Sequence, residues 1–464
     1  MKSSNPNTTS SGIHQDRIAA VLARERHLYV ERNPKSRAQA ERAALHLLFG
    51  VPLHWMNDWG TPFALQVASA QGAHLTDLDE HTLADFCLGD TGAMLGHSPP
   101  VVAQALTEQV TRGYTTMLPS ADASVVSETL AQRFGLPMWQ FAMTATDANR
   151  FVLRWIRAAT QRKVLIVFNG CYHGTVDDVF VDLVDGQPVQ RSSLLGQVHD
   201  LTHTTRVVEF NDLAALEAAL APGDVACVLA EPVMTNIGMV LPQAGYWEQA
   251  QPLIRRYGAM LVMDETHTIS SGPGGYCQAH GLKPDALVVG KPLGGGVPCA
   301  AYGFSAELAP RVVAAKHHAP PGHSGIGTTL TANLLAMAAM RVTLTQLLTP
   351  ANFLHMHTLA ARLATGLAAT IKRHRLPWCV TQVGARTEFQ FCATPPVNGT
   401  EAAQAMHADL EHVIHLFLLN RGVLITPFHN MMLICPDTTT EDVGRLLQAF
   451  DAALSALEGD GLDG

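Results

Sequence analysis

The chain has 464 residues, 47% of them apolar and 15% charged, a balance that suits a globular protein with a large core and excludes extended disorder. Its formal net charge of −9 gives no general ground for a nucleic-acid or anionic-membrane partner, since both select clustered Lys and Arg. Eight scattered cysteines without a CxxC pair exclude a disulfide framework, and no stretch approaches the ~18 uninterrupted apolar residues of a membrane span. The cysteines read as small buried apolar residues of a reducing cytoplasm.

In chain order, the polar "MKSSNPNTTSSG" (1–12) reads as a disordered tail. "QDRIAAVLARERHLYVERN" and "SRAQAERAALHLLFG" have helical apolar spacing, and the irregular aromatic stretch "VPLHWMNDWGTPFAL" follows. "AHLTDLDEHTLADFCLG" predicts two short strands around a turn. From about Ser98 the rhythm changes, with helical stretches leading into apolar runs: "KVLIVF" (163–168), "VACVLAE" (225–231), "AMLVMDE" (259–265) and "ALVVGK" (286–291). Buried strands alternating with helices predict an α/β domain whose parallel sheet is covered on both faces. After about Thr328 helices return, and the last hundred residues mix strands ("ARTEFQFCA", "NMMLICP") with helices as a smaller α+β domain. The expected division is 13–97 for an N-terminal segment joining the small domain and walling the site, 98–345 for the large domain and 346–464 for the C-terminal small domain.

Ligands of open α/β sheets sit beyond the carboxyl ends of the strands. Three of the four runs end there in ionisable groups: Glu231, the pair Asp264 and Glu265, and Lys291. One such charge is ordinarily a solvated loop residue; three on one edge are not. Lys291 alone among seven lysines caps an apolar strand and opens a glycine-rich turn, "GKPLGGG". A partly desolvated lysine loses its proton readily, and the neutral amine attacks an aldehyde to form a Schiff base. A nucleotide-phosphate loop is excluded because strand precedes the lysine and Pro292 follows it. No G-x-G-x-x-G fingerprint is present either. A phosphate site fits "TATDANRFVLRWIRAATQ", where Thr146 and Asp147 read as caps of a helix running to about Gln161, its N-terminal amides free to hold an anion.

Taken together, "LGHSPPVVAQAL", "FNGCYHGTVDD", "LAEPV", "LVMDETHT" and "GLKPDALVVGKPLGGGVPCAAYG" resemble, in order and rough spacing, motifs of the class III aminotransferases. These belong to the fold type I pyridoxal-phosphate enzymes and include omega-amino-acid and beta-amino-acid transaminases and glutamate-1-semialdehyde aminomutases. The similarity runs from about Ala73 to Phe450. It implies a large domain with a mixed, mainly parallel sheet between helices, and a smaller α+β domain built from both ends of the chain.

The resemblance also implies roles. Lys291 would hold pyridoxal 5′-phosphate as a Schiff base, Asp264 would pair with the pyridine nitrogen, and Glu231 would organise the phenolic oxygen. Tyr172 and Thr266 would cover the two ring faces, with His173 beside them. Ala145 and Thr146 would bind the phosphate, although relatives carry Ser-Gly-Thr-Glu-Ala where this chain has Thr-Ala-Thr-Asp-Ala. Family members borrow a threonine from the neighbouring subunit, which here points to Thr329, or to Thr328, and to a homodimer with shared active sites. Trp55, Met56 and Trp59 are candidates for the substrate pocket. Arg386 is a candidate clamp for a carboxylate, its alternative being a pair with Glu388 on the same strand face. His267 and His323 are further candidates to reach such a site, and no metal constellation emerges from the histidines.

The reaction expected is a ping-pong transamination from a small amine or amino acid to a keto acid. An aminomutase of the glutamate-1-semialdehyde type, moving the amino group within one molecule, is the alternative. A non-catalytic binding or regulatory protein on the same fold is the reading from another class.

Overall fold

A computed structural model describes residues 11–459. They divide into two compact units. The larger holds Pro100–Phe353 and Pro396–Gln404; the smaller holds the residues up to Pro99, Leu354–Pro395 and the residues from Ala405 onward.

The larger unit is built on a seven-stranded sheet. Its spatial order is Met138–Ala142, Ala300–Phe304, Ala286–Val289, Met260–Asp264, Val225–Ala230, Val164–Phe168 and Thr205–Val208. All run parallel except Ala300–Phe304, which is antiparallel to both of its neighbours. The four apolar runs seen in the sequence are its central strands, and Val225–Ala230 and Ala286–Val289 are buried at every residue. Burial on both faces explains their continuous, non-alternating apolar character. Ala300–Phe304 escapes notice in the sequence because Ala, Ala and Gly give it little strand character. Covering helices include Ala145–Thr160, which lies on four strands and on the helix Leu308–His318, and Tyr246–Arg256.

Phe168, at the end of its strand, closes an aromatic cluster with Phe210, Tyr246 and Trp247, meeting Phe210 edge to face at 5.1 Å. Residues 396–404, expected in the small domain, group instead with the large unit. Glu209 accepts hydrogen bonds from the Gly399 and Thr400 amides, and Gly399 sits so close to the Asn169 carbonyl that a Cβ would stand 1.9 Å from it.

In the smaller unit, Val67–Gln71, His74–Asp77, Thr82–Asp85 and Val423–Leu424 form one sheet, and Cys379–Val383, Arg386–Gln390 and Met431–Leu433 another. The N-terminal helix Gln15–Arg32 packs on Ala408–Leu419. Its buried Glu25 accepts from Asn420 and Arg421, and although burial opposes it, those bonds hold its carboxyl below the ordinary range. The second helix stops at Ala43 rather than running toward Gly50, leaving Leu45, Leu48 and Phe49 exposed.

Two expectations change at the level of single residues. Of the tail, residues 1–10 lie outside the described residues, but Ser11 is buried and its carbonyl accepts from the Trp378 indole. Cys87, Cys379 and Cys392 are half-buried rather than core residues, and the last two bring their Sγ atoms within 3.8 Å. No single described helix is long and apolar enough to cross a membrane.

Replacing Phe168 by Ala removes the ring that joins the sheet to three other aromatics. A loss of about 3–5 kcal/mol is expected in the unfolding of the larger unit, measured by urea denaturation.

Candidate active site

The carboxyl ends of Val225–Ala230 and Met260–Asp264 and the residues just past Ala286–Val289 deliver Glu231, Asp264 and Lys291 to one edge of the sheet. Parallel register sets the level: Asp264 pairs with Val288, and the Glu265 amide donates to the Val288 carbonyl at 2.8 Å. The chain then breaks from the sheet at Gly290. A Cβ there would lie 2.9 Å from the Ala145 Cβ, so only glycine lets this turn rest against the helix Ala145–Thr160. Lys291 follows with φ of 44°, a left-handed conformation uncommon outside glycine and concentrated at functional sites.

Asp264 is the most constrained charge. It is 4% exposed; Oδ2 accepts from Asn149 Nδ2 at 2.8 Å and from His173 Nδ1 at 3.0 Å, and Oδ1 accepts from the Thr266 amide. Burial favours its neutral form, but these bonds and the His173 charge win and hold the carboxyl at about 2. Burial favours the neutral imidazole of His173, yet Asp264 and Cys171 outweigh it and raise the group to about 10, so the buried pair is an ion pair.

Glu231 behaves oppositely. Burial pushes its carboxyl up to about 7 against the opposing pull of His173 and Thr235, whose hydroxyl donates to Oε2. Two carboxyls on one sheet edge are therefore held in different protonation states by their surroundings. Glu265 takes no part in this group. It turns away to accept from the Tyr276 and Cys277 amides, and burial raises it too.

The helix N-terminus is capped by Thr144, not by Thr146 or Asp147: the Thr144 hydroxyl accepts from the Asp147 amide at 3.1 Å. That frees Thr146 for another task, and its hydroxyl accepts from the Thr175 amide at 3.2 Å. Gly174 makes this approach possible, since a Cβ there would stand 2.1 Å from Thr146 Oγ1. The loop carrying Tyr172 and His173 is thus laid on the first turn of the helix that carries Ala145 and Asn149. Tyr172 is exposed, and Thr329 lies exposed just before the helix Leu334–Val342.

Lys291, Asp264, Glu231, Ala145, Thr146, Tyr172, His173, Thr266 and Thr329 all belong to the larger unit. The substrate candidates Trp55, Met56, Trp59 and Arg386 are in the smaller one. Trp55 and Trp59 pack with their rings tilted by 40° and centroids 5.6 Å apart in an irregular stretch, Trp55 being exposed. Arg386 is buried on its strand with Asp90 Oδ1 at 3.5 Å, a carboxylate that its sequence neighbourhood does not suggest. Glu388 faces His429 at 3.5 Å. Asn149 is a site residue that the sequence reading passed over. Its signal was a polar residue on the apolar face of an otherwise amphipathic helix.

Comparison with known proteins places this geometry. The family model described as Aminotransferase class-III matches residues 55–454. The chain belongs to the class III aminotransferases. A crystal structure of a glutamate-1-semialdehyde-aminomutase from Pseudomonas aeruginosa PAO1 is 47% identical over 96% of this chain and all of that one, with a TM-score of 0.94. A variant of it with one lysine replaced by alanine is in complex with PMP. A curated glutamate-1-semialdehyde 2,1-aminomutase from Sorangium cellulosum (strain So ce56) is 33% identical over 92% of this chain and 97% of its own. An omega-transaminase from Sphaerobacter thermophilus is 27% identical over 93% of this chain and all of that one, with a TM-score of 0.83.

Like its family, this class III aminotransferase is a pyridoxal-phosphate enzyme with the type I fold, and the edge described above fits the cofactor. Glu231 Oε1, Thr266 Oγ1, His173 Nε2 and Asn149 Oδ1 are buried polar atoms without a hydrogen-bond partner among the described residues. Such atoms, on residues gathered around Asp264 at the sheet edge that also delivers Lys291, suit a polar ligand far better than an apolar one.

The protonation of Glu231 has a measurable consequence. Its folded-state value exceeds the ordinary carboxylate value of 4.5, so the native state binds the extra proton and its stability falls as pH rises from about 4.5 through 7. Glu231→Gln is expected to flatten that slope and to raise stability above pH 7 by up to roughly 3 kcal/mol, read from melting curves of cofactor-free protein across pH.

Proposed function

We propose that the chain is an aminomutase of the glutamate-1-semialdehyde 2,1-type, shifting an amino group between neighbouring carbons of one small molecule. The observation that carries this reading is the 47% identity, spanning 96% of the chain, to the Pseudomonas aeruginosa enzyme of that name. The curated relatives at 30–33% identity bear the same name. The ping-pong transamination expected from the sequence shares the cofactor and the residues but needs an external keto acid, and the named relatives favour the internal transfer.

In this reading Lys291 would hold the cofactor covalently and would then serve as the base at the substrate carbon. Bound there, pyridoxal phosphate supplies an electron sink for the carbon that loses its proton. Asp264, kept ionised by His173, Asn149 and the Thr266 amide, holds a proton on the pyridine nitrogen. Glu231, protonated near neutrality, donates through Oε1 to the phenolic oxygen. Ala145 and Thr146 meet the phosphate at the helix N-terminus, where free amides and the helix dipole favour an anion. Tyr172 and Thr266 flank the ring. Thr329 completes the phosphate site of a second copy in a homodimer.

The deciding experiment supplies glutamate-1-semialdehyde with the purified holoenzyme and follows 5-aminolevulinate, with and without pyruvate or 2-oxoglutarate. Isomerisation independent of added keto acid is expected; turnover only with an external acceptor would make the chain a transaminase. Lys291→Ala should lower turnover by about a thousandfold or more and abolish the visible absorbance of the covalent cofactor.

A further inference from the structure

His267 stands three residues past Asp264, in the turn that leaves the sheet beside Lys291. Its Nε2 lies 2.8 Å from Lys291 Nζ, and both side chains are half-buried. Nothing in this contact is left to two mobile side chains. The turn bearing His267 is pinned from below by Glu265, whose carboxylate accepts from the Tyr276 and Cys277 amides and from the Thr268 hydroxyl. Within the same turn, Ile269 N donates to Glu265 O and Ser270 N to His267 O. On the other side, Lys291 is fixed by its left-handed backbone, by Pro292 behind it and by the close approach of Gly290 to Ala145. The two carboxylates nearest in sequence, Asp264 and Glu265, are engaged by His173, Asn149 and the turn amides.

We propose that His267 is a catalytic residue, the proton acceptor and donor for Lys291 when the cofactor is attached. The proposal rests on Lys291 being the cofactor lysine and not on which substrate the enzyme takes. An ammonium cannot attack a carbonyl, so Nζ must first give up a proton, and Nε2 is in place to accept it. The neutral amine then forms a bond to the aldehyde carbon of pyridoxal phosphate while the carbon–oxygen π bond breaks and the oxygen gains a proton from Nζ. His267 returns its proton to the resulting hydroxyl, which departs as water as the carbon–nitrogen double bond forms. One lysine ammonium and one aldehyde give one protonated imine and one water, and His267 is regenerated.

The test uses no substrate. Wild type, His267→Ala and His267→Gln, each freed of cofactor, are mixed with pyridoxal phosphate. Loading is followed by visible absorbance and by borohydride trapping with mass analysis of the Lys291 peptide. Slowing of about a hundredfold is expected in both variants, with the same final extent of modification. Glutamine keeps the shape and a hydrogen bond but cannot carry the proton, and added imidazole should restore the rate in His267→Ala. The proposal is overturned if both variants load at the wild-type rate, if His267→Gln alone is normal, or if imidazole does not help a folded His267→Ala. Thermal melting establishes folding, and should His267→Ala not fold, the His267→Gln rate decides alone. If wild type itself does not load, the assignment of Lys291 fails and this inference with it, whereas an aminomutase test that fails leaves the loading result standing.

Discussion

A carboxylate kept charged inside the protein is the constraint on which the rest depends. Burying Asp264 without compensation would drive it to its neutral form, since desolvation of an isolated carboxylate costs more than protonation. The structure answers with an imidazolium, an amide side chain and a backbone amide, all converging on two oxygens. Each comes from a different place in the chain, so the ion pair also ties the helix Ala145–Thr160 and the Tyr172–His173 loop to the strand that ends at Asp264. Losing any one partner leaves a buried charge short of its compensation, which costs far more than the bond itself contributes.

From that constraint follows the division of labour along the sheet edge. His173 is committed to Asp264 and stays charged; Glu231, lacking a cation of its own, keeps its proton up to about pH 7. An anion and an acid are thereby held side by side on one sheet edge without any movement of the protein. Parallel strands make the arrangement cheap to build, because each ends at the same level and presents its last residue in the same direction. The single antiparallel strand, Ala300–Phe304, follows the lysine turn and takes the chain back across the sheet without disturbing that edge.

How much of this could be read in advance depended on the kind of interaction. The four central strands were legible because burial on both faces leaves a continuous apolar run, and Glu231, Asp264 and Lys291 stood out as charges ending such runs. The fold type came from the resemblance of five motifs rather than from periodicity. The His173–Asp264–Asn149 group was not legible as a network: its members lie up to 115 positions apart, and only tertiary approach decides which polar groups meet. The helix cap was misplaced for a local reason, since Thr144, Thr146 and Asp147 are all competent caps and the choice among them is set by where the loop at Gly174 lands. Residues 396–404 joined the larger unit through Glu209, a contact that composition cannot announce.

Ala145 and Gly290 show how a close approach is made with only one bare backbone. The turn before Lys291 and the helix N-terminus come within contact distance, and the space for a Cβ exists on one side only. In this chain alanine occupies the helix side, where a helical backbone suits it and its entropy cost on folding is lower than that of glycine. The demand for a bare backbone then falls wholly on Gly290. Because Gly290 also precedes the left-handed Lys291, the steric fit to the helix and the direction in which the lysine leaves the sheet are set at the same turn. Lys291 is therefore positioned from its backbone side by packing against the helix Ala145–Thr160 and from its amine side by His267.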